Sequence, residues 1–67
     1  MTNLEKKISS LKTQLERTYR DHGVDLATID EAVWSTHHIW ARSKMNIEGR
    51  WDTFVNAVHE EIEWMMD

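Results

Sequence analysis

Trp51-Asp-Thr-Phe-Val-Asn-Ala-Val-His-Glu-Glu-Ile-Glu-Trp-Met-Met-Asp67 is the stretch that decides the fold. At roughly 100° per residue, Trp51, Phe54, Val55, Val58, Ile62, Met65 and Met66 share one helical face about 120° wide. The other side carries Asn56, Glu60, Glu63 and Asp67, with Trp64 stranded among them. An apolar face this broad has to be covered, so the rest of the chain is expected to supply helices that pack on it.

Upstream, Thr2-Asn3-Leu4-Glu5 has the form of a capping box, in which hydroxyl and carboxylate satisfy the free amides of a first turn. Leu4, Ile8, Leu11 and Leu15 follow at spacings of four, three and four, and Tyr19 extends the edge of that seam. The stripe is too thin to form a core alone and needs a partner helix. Gly23 suits the left-handed position that closes this helix. Thr28-Ile29-Asp30-Glu31 is a second capping box, and Asp25 is an earlier candidate cap. From there Ile29, Ala32, Val33, Thr36, Ile39, Trp40 and Ser43 form one face. Trp34, His38, Ala41 and Met45 form a second stripe on the other side. Two apolar faces on one helix predict a helix between neighbours, and the second stripe is the expected dimer interface.

The join to the last helix is the least determined part of the pattern. Asn46 is a candidate cap, with Ile47 on the face of Trp51 and Phe54. Gly49 would then cost roughly 1 kcal/mol relative to alanine inside a helix. With no proline in the chain, Thr28 to Met66 could also run as one long arm of a helical hairpin. The expected fold is all-α: one domain over residues 1–67, a small dimeric three-helix bundle with helices near 3–22, 28–45 and 47–66. The hairpin with one long arm is the alternative.

With 67 residues and no cysteine, the chain has neither a disulfide framework nor thiolate chemistry to draw on. A domain this short buries only about 60% of its unfolded surface. It must rely on tight helix packing and self-association, for which four tryptophans supply apolar area. No apolar run approaches the ~20 residues of a membrane span, and no signal peptide is visible. A soluble, cytoplasmic protein with no membrane partner is expected. The net charge of −4 is uneven: residues 1–20 hold five basic and two acidic side chains, residues 21–67 three basic and ten acidic. Such a division suits complementary surfaces, either within the bundle or toward a basic partner.

No catalytic motif is present. Ser35, Thr36, His37 and His38 are neighbours in sequence, but neighbours on a helix do not face one another. His59 and Glu63 could ligate a metal from one face, yet no second ligand pair accompanies them. Neither an enzyme nor a cofactor or metal site is expected. Gly23-Val24-Asp25-Leu26-Ala27-Thr28-Ile29 resembles the turn and opening of the recognition helix in helix-turn-helix regulators, which implies a DNA-binding transcriptional regulator as the alternative function. That family usually has a small residue where this chain has Tyr19. Asp30 and Glu31 would also meet phosphate, so direct nucleic-acid binding is disfavoured. The first forty residues resemble, in hairpin patterning, the small aspartyl-phosphate phosphatases of the sporulation phosphorelay. Ser35-Thr36-His37-His38-Ile39 lacks the glutamine and aspartate of that family's motif, so no activity transfers.

Glu60, Glu61 and Glu63 crowd the end of a helix, where the macrodipole disfavours negative charge by ~0.3–1 kcal/mol each. Either the basic first helix offsets that cost, or Glu60, Glu61, Glu63 and Trp64 form an acidic partner-binding patch around an aromatic anchor. The expected function is a small acidic adaptor or inhibitor that binds and regulates a larger protein with a basic surface. Phage and mobile-element inhibitors of nucleic-acid-binding proteins are similar in type.

Overall fold

The computed structural model describes residues 2–66, and they form three packed helices. Helix α1 covers Asn3–Tyr19 and tightens into a 3₁₀ turn at Arg20–His22. Its start follows from Thr2, whose hydroxyl accepts a hydrogen bond from the Glu5 amide at 3.1 Å. Its end follows from Gly23, at φ +76°. The Gly23 amide donates to the Arg20 carbonyl and the Val24 amide to the Tyr19 carbonyl, which is a Schellman closure.

Helix α2 covers Leu26–Arg42. It begins two residues before the expected Thr28 box because Asp25 captures the Thr28 amide at 2.8 Å. Its far end repeats the closure of α1, with the Lys44 amide on the Ala41 carbonyl and the Met45 amide on the Trp40 carbonyl. Here the left-handed residue is Lys44, at φ +57°. A β-carbon in that conformation costs roughly 1–2 kcal/mol. This stop rules out the continuous long arm from Thr28 to Met66 and ends α2 at Arg42 rather than near residue 45.

Helix α3 covers Trp51–Met66, starting later than the expected residue 47. Asn46 caps a separate turn: its side-chain oxygen accepts from the Gly49 amide at 3.0 Å and its carbonyl from the Arg50 amide. The Arg50 carbonyl then accepts from the Phe54 amide, which carries the chain into α3. Gly49 therefore lies in a turn and not inside a helix. A β-carbon there would run into the side-chain amide of Asn46. Ile47 is buried and pins the turn to the core.

The helices run up, down and up. Val24 and Thr28 meet Met65 and Met66 at one end. Nearer the other end, the Trp40 and Phe54 rings meet edge to face at 5.4 Å, so α2 and α3 are antiparallel. The core holds Ile8, Leu11, Leu15 and Tyr19 of α1, Ile29, Ala32, Val33 and Trp40 of α2, and Phe54, Val58 and Ile62 of α3. Trp51 stacks on Phe54 at 5.4 Å between centroids. Thr36 is the buried polar residue of α2, and its hydroxyl donates back to the Ala32 carbonyl. Two expected core positions on α2 are outside: Ile39 is 56% exposed and Ser43 is exposed. Trp40 takes the place against Phe54 and leaves Ile39 at the edge of the α2–α3 contact. Met65 and Met66 are also exposed, because α3 outruns its cover near the Gly23 turn.

Two polar ties fix α1 to its neighbours. The Lys12 ammonium lies 2.6 Å from the Asp30 carboxylate and 4.6 Å above the Trp34 ring, whose indole N–H donates to the same carboxylate at 3.2 Å. The Tyr19 hydroxyl meets His59 Nδ1 at 2.8 Å, joining α1 to α3. The Lys12 ion pair holds the Asp30 carboxyl below its ordinary value, and the bond from Thr28 does the same for Asp25. Burial, then the nearby Glu63 charge, pushes the Tyr19 hydroxyl up.

Phe54, Val58 and Ile62 are completely enclosed. Replacing any of them with alanine is expected to cost about 2–5 kcal/mol in urea unfolding, most or all of a small domain's stability. Lys44→Gly should instead stabilise by about 0.5–1 kcal/mol; a destabilised variant would refute the strained-stop account. For pH the sign follows from the two lowered carboxyls. Their contribution is present above the ordinary value of 3.8 and is lost as pH falls through the folded values. The melting temperature should fall on acidification below about pH 4, less steeply in Asp25→Asn and Asp30→Asn.

Candidate binding groove between α2 and α3

The polar side of α3 divides where it meets its neighbours. Ala57, Glu60, Glu61 and Trp64 recur at spacings of three, one and three, so they line one side of the helix. Thr36, Ile39 and Trp40 of α2 face them across an open groove of about 240 Å³. Ala57 lets α2 approach closely, while the Trp64 ring forms a wall at the C-terminal end and is 78% exposed. Ile39 adds a second exposed apolar side chain. Trp40 and Ala57 give it an apolar lining, and among the described residues the only ionisable side chains lining the groove are Glu60 and Glu61.

Of the four residues expected to form one patch, three do so. Glu63 lies apart, on the side of α3 that looks toward α1, where its charge acts on Tyr19. Sequence reasoning missed Thr36, Ile39, Trp40 and Ala57. Their three- and four-residue spacings carry the signal, but the same spacing assigns Thr36, Ile39 and Trp40 to the core face. Nor does α1 neutralise the acidic end of α3. The two ion pairs among the described residues are Lys12–Asp30 and Arg20–Glu16, and neither involves Glu60, Glu61 or Glu63. The lysines Lys6 and Lys7 border a different groove, across α3, with Trp51 and Val55. The Lys7 ammonium lies 5.4 Å from the Trp51 ring there.

The second stripe also reaches the surface. Trp34, His38, Ala41 and Met45 are all exposed. Trp34 differs from the other three, being held against Lys12, Asp30 and the His37 ring. His59, one of the residues considered for metal ligation, points its Nδ1 at Tyr19, and no cluster of three or more potential ligands occurs among the described residues. Among the described residues, no helix is long and apolar enough to cross a membrane. No family model, curated protein or solved structure matches the chain.

Because Glu60, Glu61 and Glu63 have no cationic partner among the described residues, their charges oppose the α3 dipole without compensation. Reversing all three to lysine should leave the far-ultraviolet spectrum unchanged and hold or raise the melting temperature. Loss of fold in that variant would show that these carboxylates have a structural task.

Proposed function

We propose that this chain is a small acidic helical interaction module, a binding protein and not a catalyst, which docks on a larger protein and regulates or inhibits it. The observation that carries this reading is Trp64, left 78% exposed in a groove shared with a 56% exposed Ile39 and bordered by Glu60 and Glu61. Burying a tryptophan releases a large apolar area, and folding has not used this one. A single ring within a charged rim has the composition of interface anchors. Inhibition of a protein with a basic nucleic-acid-binding surface fits the same chemistry. The absence of cysteine favours a reducing compartment such as the cytoplasm.

Direct DNA binding is the weaker alternative. The start of α2 carries Asp25, Asp30 and Glu31, and the first two carboxyls are held toward the ionised form. Phosphate approaching a recognition helix would meet those charges.

Self-association through Trp34, His38, Ala41 and Met45 belongs to the same proposal, since the first three form an exposed stripe on α2 and Met45 is exposed in the turn just beyond its end. Light scattering should report a dimer, and His38→Glu with Met45→Glu should return a monomer of unchanged helicity. This pair spares Trp34 and its tie to α1. A wild-type chain that is monomeric at high micromolar concentration would remove the dimer. For the main reading, affinity capture from the native host should recover a protein that is lost when Glu60→Lys, Glu61→Lys and Trp64→Ala are combined. Retention of the same protein by that variant would refute docking at this groove, and salt-sensitive recovery of DNA would favour the alternative.

A further inference from the structure

We infer that the occupant of the α2–α3 groove is a basic amphipathic helix of the partner protein, with lysines or arginines flanking an apolar stripe. This rests on the interaction reading above and adds the chemistry of the bound segment. Four observations lead to it.

The first is charge. Among the described residues Glu60 and Glu61 are the only ionisable groups lining the groove and neither is paired, and the C-terminal carbonyls of α3 add to the negative potential. The exposed Trp64 face supplies a further attraction for a cation. An incoming cationic side chain thus finds carboxylate and indole together, and an anionic one finds only repulsion.

The second is shape. From Ala57 to Trp64 the groove follows α3 for about 10 Å, at roughly 1.5 Å per residue. That length matches apolar anchors at positions i, i+3 or i+4, and i+7 of an approaching helix. Ile39, Trp40, Ala57 and Trp64 supply the apolar lining against which such anchors would rest.

The third is the backbone. Both walls are helices whose amides and carbonyls are bonded internally. An extended peptide would find no strand edge to pair with, so its own main chain would go unsatisfied. A helix brings its hydrogen bonds with it. Polyproline segments prefer grooves lined by several aromatic rings, and here Trp64 is the one open ring, because Trp40 is buried.

The fourth concerns a second copy of this chain. Its basic helix is α1, yet Ile8, Leu11, Leu15 and Tyr19 are already buried in its own core. A second copy cannot offer that apolar stripe without unfolding, which leaves a different protein as the source.

The test uses the full chain, labelled with ¹⁵N, and three synthetic peptides of about 18 residues, long enough to be partly helical in isolation. One has a leucine stripe at helical spacing flanked by lysines. The second has the same composition scrambled so that the stripe is lost. The third keeps the stripe and replaces lysine with glutamate. The lysine peptide is expected to bind and to shift the Trp64 indole resonance together with the amides of Ile39 and Ala57. Trp64→Ala, and separately Glu60→Lys with Glu61→Lys, should weaken it by about tenfold or more. Both variants change exposed or half-exposed side chains, and their melting curves check that they fold. Raising salt from about 50 to 500 mM should weaken the wild-type complex. The other two peptides should not compete.

No binding of the lysine peptide overturns the inference, as does equal binding of the scrambled peptide, or shifts confined to α1 or the Trp34 stripe. If the captured partner still depends on Trp64, Glu60 and Glu61 while the lysine peptide fails, the helical occupant is refuted and the interaction reading stands. If the captured partner ignores those residues, the interaction reading at this groove falls first.

Discussion

The edge-on contact between Trp40 and Phe54 is the constraint on which the bundle depends. Trp40 is in the last turn of α2 and Phe54 in the first turn of α3, on either side of the reversal. The chain between them is held by a single asparagine cap, a buried Ile47 and a lysine in a conformation that suits glycine. None of these sets the direction in which α3 leaves. The aromatic pair does, because 5.4 Å edge-to-face geometry is available only when α3 folds back along α2. Once it has done so, Val58 and Ile62 join Val33 and Ile29 in one buried cluster, and the face of α1 completes the enclosure.

The order in which the pattern could be read follows from how local each determinant is. The α1 seam and the α3 face rest on spacing alone, and Ile8, Leu11, Leu15, Phe54, Val58 and Ile62 are buried as that spacing implies. Gly23 was readable for the same reason, since a left-handed residue without a β-carbon leaves little choice. The stop after α2 was not, because lysine carries no signal for positive φ. Only the tertiary return of α3 makes that conformation worthwhile. Ile39 and Met65 show the other limit: periodicity assigns a face, but the width of that face actually covered depends on where the neighbouring helix lies.

The candidate groove combines both cases. Glu60, Glu61 and Trp64 stood out from the sequence because each is locally wrong: acids at a helix C-terminus, and a tryptophan on a polar side. Their separation from Glu63 could not be read, since it depends on which neighbour each side of α3 meets. A groove made of two helices exists only after they pack, so its α2 wall was hidden among residues assigned to the core. The uneven charge of the chain becomes clearer in three dimensions. Lys6 and Lys7 are placed across α3 from Glu60 and Glu61, so the bundle keeps a basic flank and an acidic flank apart. Separated flanks create a dipolar molecule, which orients a charged partner before contact and speeds productive encounter.

The Tyr19–His59 bond joins residues 40 positions apart and, with the Lys7–Trp51 contact, ties α1 to α3. Helix pairs that follow one another in sequence close short loops, which keeps the mean separation of contacts small and search times short. Only the meeting of α1 with α3 requires the whole chain to be in place. That hydrogen bond therefore closes one of the longest loops in the fold. With no proline to isomerise, nothing slower than helix docking stands in its way.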